Sequence, residues 1–144
     1  MRIAIQTALL LAIVALAFLK GGRPEKSVAA VMVSMLLLDF PNHYFFGYGS
    51  YENVNIGHLV IDTAALVGLV VIALQADRFW TLWVASAQLI SVASHVLRLL
   101  AVEMNPFIYA VMNRWPFAVM MLVLLTGTLL HIRRNSSARM TPAS

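Results

Sequence analysis

The chain has 144 residues, of which 61% are hydrophobic and only 11% charged, and its mean hydropathy is +0.84. Soluble domains carry roughly 25% charged residues, so the composition excludes an ordinary water-solvated domain and makes lipid the expected solvent for the apolar surface. The net charge of +4 and pI near 10.0 do not mark a nucleic-acid binder, because the basic residues fall between apolar stretches, and the absence of cysteine excludes disulfides, thiolate metal sites and thiol nucleophiles.

Five apolar stretches follow one another, so the expected fold is an all-α membrane bundle of about five spans, at roughly 3–19, 27–46, 58–76, 79–102 and 115–132. The whole of 1–134 reads as a single bundle without a soluble domain. The first stretch also fits a signal peptide, with Ala15-Leu16-Ala17 as the cleavage site, which would leave four spans. Lys20, Arg23 and Lys26 immediately after it argue against export of that loop.

Lys and Arg in short loops set orientation. Lys20, Arg23 and Lys26 fall in the first connection, Arg78 in the third, and Arg133, Arg134 and Arg139 after the fifth span. The segments 47–57 and 103–105 carry neither residue. The N-terminus is therefore expected outside and the C-terminus in the cytoplasm of a bacterial-type inner (plasma) membrane. Aromatic residues divide the same way. Tyr44, Phe45, Phe46, Tyr48, Tyr51, Phe107, Tyr109 and Trp115 gather at the outer level, and Phe79, Trp80 and Trp83 at the inner one.

Ionisable residues inside the apolar stretches are the functional clue, since a charge at a helix centre costs about 2.5–3.5 kcal/mol on translocon scales. Asp39, His43, His58, Asp62, His95, Arg98 and Glu103 all map to the outer face. Asp39 and His43 are four apart and share a face if the second helix continues through Pro41; a proline breaks or kinks a helix, and a helix that stops before Pro41 would leave both at the headgroups. His58 and Asp62 share a face of the third helix. On the fourth, Gln88, Ser91, His95 and Arg98 make one polar stripe, broadened by Ser86 and Ser94, which must face the bundle interior or a wet crevice. Arg98 calls for a carboxylate, with Asp62 or Asp39 as the candidate.

In the fifth stretch, Pro106 is expected to open a short interfacial helix to about Met112. The span itself then begins at Trp115, with Pro116 in the first turn, where proline is tolerated. Residues 135–144 are small and polar and read as a flexible cytoplasmic tail.

No zincin pattern, nucleophile elbow, phosphate-binding glycine loop or intramembrane lysine is present, so the sequence leans away from an enzyme. Three roles fit the cluster of Asp39, His58, Asp62, Gln88, Ser91, His95 and Arg98. The first is an accessory or scaffolding subunit of a larger membrane complex, its stripe joining helices and its partners another membrane protein or further copies of itself. The second is a site for a metal, haem, quinone or lipid headgroup, with His43, His58, Asp62 and His95 as candidate ligands. The sequence requires no cofactor. The third is a small proton-coupled transporter or channel component.

Overall fold

Two glycines set the first turn. Gly21 donates its N–H to the Ala17 carbonyl at 2.9 Å, and a Cβ there would run into that carbonyl and lie 2.7 Å from the Glu25 Cβ. The chain therefore turns directly from α1 (Arg2–Lys20) into α2 (Arg23–Phe46). In the computed structural model, which describes residues 2–46, 56–100 and 106–140, three further helices follow: α3 (Ile56–Gln75), α4 (Trp80–Leu99) and α5 (Pro106–Met140). The described residues contain no strand. Glu103 and the aromatic loop 47–55 lie outside them.

Consecutive helices pack side by side, α1 returns to α5, and α2 also touches α5 across the middle. A cavity at one end is lined by early residues of α1 and α3 and late residues of α2 and α4. Neighbours along the chain therefore run antiparallel, and the five helices close a ring.

The interior is small. Leu10, Ile13, Ala17, Val28, Ala29, Met32, Leu69, Val84, Met120, Met121 and Leu124 fill it. Outside, Leu9, Leu37, Val60, Val67, Val71, Leu74, Leu89, Ile90 and Leu122 stand exposed along the helices. Helix α3 states the inversion clearly: its buried residues are Asp62, Ala65 and Leu69, while valines and leucines point outward. Three helical stretches, Ile56–Gln75, Trp80–Leu99 and Arg114–Ala138, are long and apolar enough to cross a membrane. The apolar helix Ala4–Lys20 is shorter, and α2, with Arg23, Glu25, Lys26, Asp39, Asn42 and His43, is not apolar enough.

Helix α2 runs through Pro41 to Phe46, the end expected for the second span. Two other sequence expectations are corrected. Helix α5 is one helix of 35 residues with Pro116 inside it, rather than an interfacial piece followed by a separate span. Proline removes one N–H and crowds the carbonyl a turn back, at about 3 kcal/mol or more in a helix interior. Pro116 is buried, and Met120, Met121 and Leu124 just beyond it belong to the core, so packing of the segment that follows the proline outweighs that penalty. The polar segment from Asn135 is helical to Met140. Ser136 and Ser137 turn their hydroxyls onto the carbonyls of Ile132 and Arg133, at 3.1 Å each, and the helix extends on its own ladder.

Candidate functional site

The cavity has a volume of about 280 Å³ and draws a wall from every helix. Its apolar side is Leu10, Leu36, Ile61, Phe117 and Met120; its polar side is Asp39, His58, Asp62, Gln88, Ser91 and His95.

The polar side is built in two groups. In the deeper one, Ser91 donates its hydroxyl to Asp62 Oδ2 at 2.8 Å, and His95 Nε2 lies 3.2 Å from the same oxygen. The amide Nε2 of Gln88 donates to the Asp62 backbone carbonyl at 3.1 Å. These three residues stand at successive turns of α4, so one face of that helix grips one residue of α3. His95 is only 3% exposed and Gln88 not at all. The Gln88 Oε1 acceptor, also buried, has no hydrogen-bond partner among the described residues. Ser94, equally buried, turns its hydroxyl to the Ser91 carbonyl at 2.7 Å and stiffens the turn between them. Ser86 instead faces outward.

The Asp62 carboxylate, one of the two candidate partners of Arg98, meets Ser91 and His95. A rise of 1.5 Å per residue carries Arg98 roughly 4.5 Å along the axis beyond His95.

The second group lies nearer the helix ends. Asp39 Oδ1 is 3.3 Å from His43 Nδ1 on the same helix and 3.2 Å from His58 Nδ1 on α3. His43 Nδ1 is also 3.0 Å from the Asp39 carbonyl, and the two imidazoles meet edge to face with centroids 5.1 Å apart. This arrangement needs α2 to remain helical past Pro41, since a break there would carry His43 away from Asp39. His58 thus meets Asp39 across the helix pair.

The four histidine and carboxylate candidates for a metal therefore separate: His43 and His58 join Asp39, while Asp62 and His95 join each other. Gln6 and Thr7, which line the cavity from α1, escaped notice in the sequence although they are the polar interruptions of an apolar run.

A second cavity, of about 240 Å³, lies at the opposite end among Glu25, Asp77, Arg78, Trp80, Gly127, His131 and Arg134. Glu25, 1% exposed, accepts the Gly22 N–H at 2.9 Å, the reach of a third-position glutamate back to the residue that caps its helix. A Cβ on Gly127 would lie 2.8 Å from the Trp80 ring, so only glycine lets α4 and α5 close here. Searches against protein-family models, curated proteins and solved structures give no match to this chain.

Proposed function

We propose that this is a polytopic membrane protein that binds the polar head of a small amphipathic molecule, a quinone or a lipid headgroup, in the cavity over Asp62, Ser91 and His95. The observation that carries this is a buried carboxylate–hydroxyl–imidazole set at the wall of a cavity whose other side is aliphatic and aromatic. Binding sites commonly combine an apolar lining with a few convergent polar groups, in volumes of roughly 300–1,000 Å³. At about 280 Å³ this cavity suits one ring or one headgroup rather than a macrocycle such as haem. The buried Gln88 carbonyl supplies a further acceptor for a ligand hydroxyl.

The membrane setting is supported by the exposed valines and leucines of α3 and α4 and by the charges at the two ends. Arg78 and Arg134 flank one end, while exposed Tyr44, Phe107 and Trp115 mark the other. On this reading all five helices cross the bilayer, with the N-terminus outside and the membrane a bacterial-type inner one. Because the chain has no cysteine, single cysteines at Tyr44 and Arg134 test the topology directly. Membrane-impermeant labelling of intact cells should reach the first and not the second.

A scaffolding role in a larger complex is the second reading. It is favoured by the way Gln88 and Ser91 spend their hydrogen bonds on the neighbouring helix, as helix-joining polar residues do.

Native mass spectrometry of gently extracted protein separates the two. The binding reading expects a small-molecule mass that His95→Ala removes while the helical content stays. A wild-type protein carrying no such mass, but accompanied by a protein partner, would instead establish the scaffold.

A further inference from the structure

We infer that Asp39, His43 and His58 form a binding site for a divalent transition-metal ion of the zinc class at the mouth of the cavity. The inference is independent of what the cavity itself holds. The three side chains offer one ligand atom each, all within 4.8 Å of one another. Two come from successive turns of α2 and the third from α3, so the site is assembled by the packing of two helices.

The distances fit a shared ion. Two metal–ligand bonds of 2.0–2.1 Å at the tetrahedral angle place their donor atoms roughly 3.3 Å apart. Asp39 Oδ1 stands 3.2 and 3.3 Å from the two Nδ1 atoms, whereas N–H···O bonds cluster near about 2.9–3.0 Å. Entry of the ion displaces a proton from each coordinating imidazole nitrogen that carries one, and the His43 contact with the Asp39 carbonyl gives way to the new bond.

Two imidazoles and a carboxylate suit zinc, cobalt(II), nickel(II) or iron(II), and not the all-oxygen shells of calcium or magnesium. Three protein donors leave at least one coordination position for water or another donor. Asp39 and His58 both line the cavity, so an ion held between them borders it. All three residues are half-buried, which gives partial dehydration together with an entry path.

The test uses the full chain, purified in detergent, stripped with chelator and titrated with zinc(II) by calorimetry. Cobalt(II) absorption serves as a second probe. One ion per chain is expected, with a cobalt spectrum of a nitrogen- and oxygen-coordinated site. Asp39→Ala and His58→Ala should each weaken zinc binding on the order of a hundred-fold or more, given that loss of supporting groups alone costs 10–100-fold. His131→Ala, at the opposite end, should bind as wild type does. Circular dichroism and gel filtration establish that each variant is folded; where His58→Ala is not, His58→Gln replaces it. Wild-type protein that takes up no zinc overturns the assignment. So do folded Asp39 and His58 variants that bind zinc as tightly as wild type.

Discussion

The two aspartates of the cavity use the same partner chemistry and differ in their surroundings. The Asp62 side chain is 13% exposed and draws every partner from α4, including a nearly inaccessible histidine. The Asp39 side chain is 42% exposed and shares one oxygen between two histidines. Water can replace a lost partner at Asp39 and cannot at Asp62. A buried set of this kind resists removal of any member, because the remaining groups are left desolvated and unsatisfied. A half-exposed set holds its geometry at little energetic stake. Equivalent residues therefore fasten two helices in one place and present open donors in the other.

The largest test of this contrast is Asp62→Leu. It strands the buried Ser91 hydroxyl, at about 1–3 kcal/mol, and takes the carboxylate from the His95 ring. A marked drop in thermal or denaturant resistance in detergent is expected, and an equal drop from Asp39→Leu would erase the distinction. A double-mutant cycle sharpens it. Asp62→Asn with His95→Gln should show a coupling of about 0.6–1.7 kcal/mol, the range for hydrogen bonds between membrane helices. The matching cycle with Arg98→Gln should show a smaller coupling, because Arg98 stands a turn beyond His95, and equal couplings would mean that the arginine shares the carboxylate. The smallest effect belongs to Asp39→Asn, expected to change stability by less than about 1 kcal/mol while removing the inferred metal ligand. A large loss of stability there would mean that Asp39, too, serves mainly as a fastening.

Which residues face inward could be read from the sequence better than what they touch. The spacing of Gln88, Ser91 and His95 fixed a single face of α4, and the expense of burying a polar side chain fixed that face as internal. The same spacing carried on to Arg98, but it could not say that the Asp62 carboxylate meets Ser91 and His95. Register depends on how α3 slides against α4, and no one-dimensional period encodes it. The interruption between Met112 and Trp115 was over-read for a related reason: local preference counts the hydrogen bond lost at Pro116 but not the packing of the segment beyond it. Glu25 and His131 were missed altogether. The Gly-Gly pair followed by a glutamate three residues into α2 was the available signal for the first, a half-formed capping box. Nothing in the linear sequence places His131 beside Gly22.

Helix α5 has a mechanical consequence. At 1.5 Å per residue its 35 residues make a rod of roughly 52 Å, against a bilayer hydrocarbon core of about 30 Å. In the proposed bilayer such a spar stands proud of the lipid, so a push at Arg134 on one side is transmitted towards Ile108 on the other. Pro116, a weak joint in it, sits beside Phe117 in the cavity wall. Tilting the arm that carries Arg134 would therefore swing that wall. Paired spin labels at positions 108 and 134 should show the two ends moving as one lever, with any flexing concentrated at the proline.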